Sequence, residues 1–249
     1  MPTELRTRSA VERFRQDHFQ LRPHLERFLA NPDTCLDTRL KGATDNLAAL
    51  SRQAFSWQTV ESFYRDTVGD EYLFDLADWH MTSEDYIADT LELVQDYAQG
   101  TVLDFGGGIG THTLAAALCP AVERVVYCDI NPFNRAFVEK RVEWLELTDK
   151  VEIAATLAPE ARFDTVVCFD VFEHLPDPVA QLHQFHAHLH PQGKLIGNWY
   201  FHKGRNNEYP FHLDDPLVIR RFMETLPSLF IEEFHPYLVT ARCYSRSSQ

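Results

Sequence analysis

Val102-Leu103-Asp104-Phe105-Gly106-Gly107-Gly108-Ile109-Gly110 is the stretch on which the reading of this chain turns. A short apolar run meets an acid and then a glycine cluster, and helix-forming residues follow from Thr113 to Leu118. Glycines between a strand and a helix let the backbone pass close to a ligand, and the helix N-terminus behind them favours negative charge. The dinucleotide spacing G-x-G-x-x-G fails in both registers. Counted from Gly106 its third glycine falls on Thr111, and counted from Gly108 on Thr113. What remains is an acid followed by alternate glycines: Asp104, Gly106, Gly108 and Gly110. A second acid, Asp129, stands 21 positions beyond Gly108 at the end of the next apolar run. A carboxylate there is suited to accept hydrogen bonds from both hydroxyls of a ribose.

The pattern on either side of the glycines is regular. Short apolar runs at 124–129, 151–154, 163–169 and 194–199 follow the first one, with helical stretches at about 132–147 and 178–189 between them. This alternation is the sequence form of an α/β fold with a parallel sheet. Residues 229–234 and 237–244 flank His235-Pro236 and read as two strands joined tightly, which predicts an antiparallel edge. Residues 1–98 read as helical. Pro23 predicts a break or kink, and Asn31-Pro32-Asp33 a turn. Thr82 and Asp85 have the spacing of a capping box. Ile87, Leu91, Val94 and Tyr97 make one apolar stripe, and Gly100 is placed to close that helix in the left-handed region.

Asp104 with its alternate glycines, and Asp129 after them, resemble the class I S-adenosylmethionine-dependent methyltransferases. Phe163-Asp164-Thr165-Val166-Val167 is similar to that family's fourth-strand motif, and His190-Pro191-Gln192-Gly193-Lys194-Leu195 to its turn into strand five. The resemblance implies a Rossmann-like sheet of seven strands with the last antiparallel. It implies a methyltransferase core over 99–249 behind an N-terminal helical cap, or lid, over 1–98. It also implies that S-adenosylmethionine is bound through Asp104, Gly106, Gly108, Gly110, Asp129, Ile130 and Phe169. One departure is visible. The acid that often follows strand three to meet the adenine is missing, the chain reading Ala154-Ala155-Thr156-Leu157.

After strand four comes Asp170-Val171-Phe172-Glu173-His174-Leu175-Pro176. In an open α/β sheet ligands sit beyond the carboxyl ends of the strands. On a helix, Asp170, Glu173 and His174 share one face. The run resembles the E-x-x-E-H stretch of ubiquinone-biosynthesis O-methyltransferases, with Asp170 in place of the first Glu. Methyl transfer needs a nucleophile held in line and a group that removes its proton, and an imidazole is suited to that removal. His174 is therefore the expected base and Glu173 its neighbour. A divalent metal is associated with this cluster in that family. Three adjacent ligands rarely hold an ion alone, so a metal is not favoured and no metal ligand is assigned. His202 and His212 bracket a polar and aromatic loop after strand five and complete the candidate catalytic set. Trp199, Tyr200, Tyr209 and Phe211 are candidates to stack on an acceptor. Trp79, His80 and His112 are candidates to touch the cofactor, whereas His183, His186, His188 and His190 read as mostly solvated.

Composition narrows the function further. The 249 residues are 45% hydrophobic and 24% charged, the balance of a globular protein, and carry a formal net charge of −14. An acidic surface repels phosphate backbones, so nucleic acid is not an expected partner. No run has the length of a membrane span and no apolar signal core stands at the N-terminus. Five cysteines without a C-x-x-C pair predict neither a disulfide frame nor a structural zinc, and a reducing, cytoplasmic setting. The expected activity is methylation of a small-molecule acceptor, on oxygen before nitrogen or carbon. Its rivals are a protein methyltransferase whose cap docks a polypeptide, a nicotinamide oxidoreductase, and a non-catalytic cofactor-binding module that regulates a partner. The acceptor, the methylated atom and the oligomeric state are not legible in the sequence.

Overall fold

A computed structural model of the chain describes residues 9–29, 35–237 and 241–247. Its strands are β1 (Gly100–Phe105), β2 (Val122–Cys128), β3 (Val151–Ala154), β4 (Phe163–Cys168), β5 (Leu189–Gly197), β6 (Phe230–Glu233) and β7 (Arg242–Arg246). They form one sheet in the order β3-β2-β1-β4-β5-β7-β6. The first five are parallel, and β7 runs antiparallel to both β5 and β6. This is the Rossmann-like seven-stranded sheet of the methyltransferase class. The strand order reverses between β1 and β4, and at such a switch point a ligand crevice opens beyond the strands' carboxyl ends.

Both faces of the sheet are covered, which is why its central strands read as unbroken apolar runs. Successive side chains of β1 enter opposite layers. Val102 packs with Leu91, Val94, Leu114 and Val125, while Leu103 packs with Val166, Leu182, Phe185 and Phe222. The core helices are α7 (Thr111–Leu118), α8 (Pro132–Trp144), α9 (Pro178–His188) and α10 (Pro216–Leu229). Before the sheet come α1 (Ala10–Asp17), α2 (Leu21–Leu29), α3 (Leu36–Ala54), α4 (Val60–Ser62), α5 (Glu71–Thr82) and α6 (Glu84–Tyr97). A π-helical turn, Phe63–Thr67, follows α4 directly.

Several local expectations are corrected. Pro23 lies in the first turn of α2, where a missing N–H costs nothing. The chain turns instead through His18, Phe19 and Gln20, all in the left-handed region. The capping box at Thr82 does not form. Thr82 is the last residue of α5, and its hydroxyl donates to the Asp78 carbonyl. Gly100 has φ +58° but opens β1, the helix before it having ended at Tyr97. β5 begins at Leu189, before the turn residues that were read as its start, because the irregular pairing of Phe163 with Leu189 extends the strand. Helix α10 went unread. Its signal was Asp215-Pro216, and the Asp215 side chain accepts from the Leu217 and Val218 amides. The turn expected at 31–33 and part of the last strand, 238–240, lie outside the described residues. The five cysteines are free, with only Cys35 exposed, and no helix among the described residues is long and apolar enough to cross a membrane.

Candidate active site

Beyond the carboxyl ends of β1, β4 and β5 lies a cavity of about 590 Å³. Asp104 from β1, Phe169 and Asp170 after β4, and Asn198 after β5 line it from the sheet side. Helix α5 covers it with Tyr72, Asp75, Leu76 and Trp79, residues spaced i, i+3, i+4 and i+7 and therefore on one face.

The glycine loop forms the floor. A Cβ at Gly106 would come within 2.5 Å of the Val171 side chain, and Gly110 begins α7 at φ +79°. The loop's amides are largely spent inside the protein. Gly106 N–H donates to the Cys128 carbonyl, Gly108 N–H to Asp129 Oδ2 (2.9 Å), and Gly110 N–H to the Gly107 carbonyl. What the loop offers a ligand is close approach rather than a nest of donors. Asp104, Gly106, Gly108 and Phe169 line the cavity, whereas Gly110, Asp129 and Ile130 do not. Asp129 is buried behind the loop and also accepts from the Asn131 amide (2.7 Å). Asn131 in turn donates to the carbonyls of Tyr64 and Gly69, so the segment between α4 and α5 lies over this end of the site. Ile130 packs there against Tyr72 and the cluster around Phe63.

The residues after β4 do not form the expected helix. Asp170 stands at φ +54°, and only Phe172–His174 make a short 3-10 turn. Asn198 holds Asp170 in that conformation. Its side-chain oxygen accepts from the Asp170 amide (2.6 Å), and its nitrogen donates to Asp170 Oδ1 (2.9 Å) and to the Tyr86 hydroxyl (2.5 Å). No motif marks Asn198, because its partner lies 28 residues away on the neighbouring strand's end.

Glu173 points inward and is 1% exposed. Its Oε1 accepts from the Tyr200 amide (3.0 Å), its backbone carbonyl accepts from Leu213 N–H (2.7 Å), and its Oε2 has no partner. These contacts bring the loop after β5 against the turn after β4. The result is that one ligand atom each of Glu173, His174 and His212 lies within 4.8 Å of the others. His212 thus takes the place beside Glu173 and His174 that helical spacing would give to Asp170. His212 Nδ1 faces the carbonyls of Tyr200 (3.1 Å) and His202 (3.0 Å). Carbonyls only accept, so Nδ1 carries the proton and Nε2 keeps its lone pair. His174 Nδ1 is 2.8 Å from the Tyr64 hydroxyl, and its ring stacks on Phe211. His202 is not part of this group. Its side chain is exposed and its ring accepts from the Gly204 amide.

Trp79, Trp199, Tyr200, Tyr209 and Phe211 all line the cavity, as do His80 and His112. The two histidines are buried and paired with hydroxyls, His80 with Thr111 and His112 with Thr90.

Burial sets the electrostatics. It raises Asp104 to about 7 and Asp129 to about 6. It holds Asp170 and Glu173 well above the usual carboxylate range, with Asp170 adding repulsion at Glu173. It pushes His112 down to about 3 and His212 to about 4, and lowers His174 with help from His212. The consequence for stability has a definite sign. The raised carboxylates bind more protons folded than unfolded, so their contribution is lost as pH rises through the folded values. The lowered histidines contribute fully once pH exceeds 6.5. Between pH 6.5 and 8 the carboxylates act alone among these two sets, and the ligand-free protein is expected to melt about 3 °C or more lower at pH 8. Scanning calorimetry checks this, and a flat or rising melting temperature would mean that these acids are ionised in the folded state.

A family model of the methyltransferase domain matches residues 79–240. The chain belongs to that family. Its methyltransferase domain is of the S-adenosylmethionine-dependent class and covers the glycine loop, the Glu173 turn and the loop after β5. The methyltransferase is similar to the ubiquinone biosynthesis O-methyltransferase of Azotobacter vinelandii, 31% identical over 97 residues, which are 38% of this chain and 42% of that one. It is similar to the enzyme of that name from Xanthomonas euvesicatoria, 31% identical over 116 residues, 45% of this chain and 46% of that one. The match thus spans less than half the length of either relative. Among solved structures, PigF with SAH superposes at a TM-score of 0.53 and 16% identity, covering 90% of this methyltransferase and 73% of that chain. The pyocyanin biosynthetic protein PhzM superposes at 0.52 and 14% identity, covering 72% and 59%. At these identities the likeness is one of fold.

Proposed function

We propose that this protein methylates a hydroxyl of a small-molecule acceptor, and that Glu173 takes the proton while His212 orients the hydroxyl. The observation that carries the reading is the buried Glu173 Oε2, which has no hydrogen-bond partner among the described residues and belongs to a carboxylate clustered with His174 and His212 within 4.8 Å, in the same cavity as the glycine loop. S-adenosylmethionine supplies an electrophilic methyl on a sulfonium. The glycine cradle fits it, since Gly106, Gly107 and Gly108 line the cavity and a Cβ at Gly108 would come within 2.8 Å of Leu76 on the facing helix α5. Asp104 and Asp170 compensate positive charge along that wall. Asp129 does not line the cavity, and in this scheme it bears on the ribose from behind the loop, through the Gly108 and Asn131 amides that its carboxylate fixes. In this scheme helices α1 to α6 act as the cap of a core that begins near residue 99, and α5 excludes water from the reacting atoms.

Glu173 suits proton removal better than either histidine. A general base works best with a pKa near the working pH, and burial raises Glu173 while it lowers His174 and His212. His174, engaged by Tyr64, buttresses the pair. The acceptor oxygen gives its proton to Glu173 Oε2 and gains the methyl. Glu173, His174 and His212 would also hold a divalent ion, whose chemistry there would be to polarise the acceptor oxygen.

Calorimetric titration with S-adenosylmethionine and S-adenosylhomocysteine, with NADH as control, tests the cofactor. Micromolar binding of the two sulfur ligands alone is expected. Asp129→Asn removes charge-assisted bonds of about 1.5 kcal/mol or more, and affinity is expected to fall about tenfold. Unchanged affinity in that variant would remove the ribose role, and no binding by the parent protein would remove the reading itself.

A further inference from the structure

The charged lining of the cavity has one sign. Asp75, Asp104, Asp170 and Glu173 face it, and among the described residues no lysine or arginine does. Asp104 and Asp170 flank the glycine loop, and Glu173 is the proposed base. Asp75 remains. It projects from α5, accepts one hydrogen bond from Thr44 Oγ1 on α3 (2.7 Å), and forms no ion pair with the described residues. Burial raises it, Thr44 lowers it, and Asp78 adds repulsion. Tyr72 and Tyr209 line the same cavity as Asp75, and Tyr209 stacks on His212 at 4.9 Å, so the lining runs from Asp75 to the proposed methylation point.

A desolvated carboxylate without a cation is costly, and the cost is relieved when a cation arrives. Tyrosine faces around it add to the preference for an organic ammonium. The orphaned Glu173 Oε2 at the other end of this lining is the independent sign that a polar ligand completes the cavity. We propose that the acceptor carries a protonated amine, seated on Asp75 between Tyr72 and Tyr209, with its hydroxyl at Glu173 and His212. Acceptors bearing a carboxylate or a phosphate at that end meet Asp75, find no counter-charge in the cavity among the described residues, and are rejected. This rests on the methyltransferase reading of the same cavity.

The test titrates the full chain, saturated with S-adenosylhomocysteine, with three catechols that differ in one tail: dopamine, 4-methylcatechol and 3,4-dihydroxyphenylacetate. Phenethylamine and tryptamine extend the cationic set. At least one cationic probe is expected to bind, dopamine about tenfold more tightly than 4-methylcatechol, and the carboxylate not at all. In Asp75→Asn the dopamine preference is expected to fall to within about threefold, with S-adenosylhomocysteine affinity unchanged. Equal binding of the anionic probe, a preference that survives Asp75→Asn, or no binding by any cationic probe overturns the proposal. A loss of S-adenosylhomocysteine affinity in Asp75→Asn assigns the residue to the cofactor and also overturns it. Failure of the parent protein to bind S-adenosylhomocysteine is a different result, and it strikes the methyltransferase reading.

Discussion

Glu173→Gln is expected to lower turnover by about 10²–10⁴-fold, the usual worth of a positioned general base, with S-adenosylhomocysteine affinity changed by less than about threefold. The amide keeps the shape of the carboxylate and the bond from the Tyr200 amide to Oε1. It removes the acceptor at Oε2, the position without a partner. The loss therefore falls on the proton transfer and not on the fold. The parent enzyme's rate should rise with pH as Glu173 gives up its proton, because burial and Asp170 raise its pKa. In Glu173→Gln that limb should disappear. Single-turnover rates across pH 6–9 would show both effects. A variant with parental turnover and an unchanged pH limb would transfer the base role to His212 or His174.

Arg141→Met is expected to be the most destabilising single change outside the cavity. Arg141 lies on α8, fully buried, and no carboxylate of the described residues pairs with it. Its guanidinium donates to the Ile109 carbonyl (2.8 Å) in the glycine loop and to the carbonyls of His18 and Phe19 (both 3.1 Å). The latter two belong to the left-handed turn between α1 and α2. Burial pushes Arg141 down to about 9, still charged at neutral pH. Methionine would leave three carbonyls without donors, at about 1–3 kcal/mol each. Relief of the buried cation offsets part of this. A net loss of about 3 kcal/mol is expected, which lowers the melting temperature by about 6–12 °C. The α1–α2 turn, whose His18 and Phe19 carbonyls this side chain ties to α8, should become the first site of limited proteolysis. A variant melting within about 2 °C of the parent, with an unaltered cleavage pattern, would sink this account of the turn.

Much of the core was legible because its signals are local. The short apolar runs, the helical stretches between them and the glycine cluster after β1 are each written within ten or so residues. They recur in the observed sheet with shifts of a few positions at most strand ends. The exceptions have local physical causes. Thr82 bonded back to its own helix in place of capping the next, and β5 gained an early segment by irregular pairing with Phe163. Helix α10 has a local start signal in Asp215-Pro216, with the Asp215 side chain capping the Leu217 and Val218 amides.

The site was legible only in part. Asp104, the glycines and Phe169 were found from the motif, and Glu173 and His174 from the acidic run after β4. His202 and His212 were indistinguishable in sequence, each a histidine at one end of the same loop. Folding separates them. The loop closes on Glu173 through Leu213 N–H and the Tyr200 amide, which turns His212 inward and leaves His202 in solvent. Asn198 and Asp75 had no motif at all. Their positions follow from β5 lying beside β4 and from α5 crossing the glycine loop, contacts between residues far apart in the chain. The sequence by itself determined the sheet, the glycine loop and the acid that follows β4, because apolar patterning and turn chemistry act over short distances. Which histidine faces Glu173, which amide holds Asp170, and which acid waits at the far wall were decided by packing, because only the folded core brings those segments together.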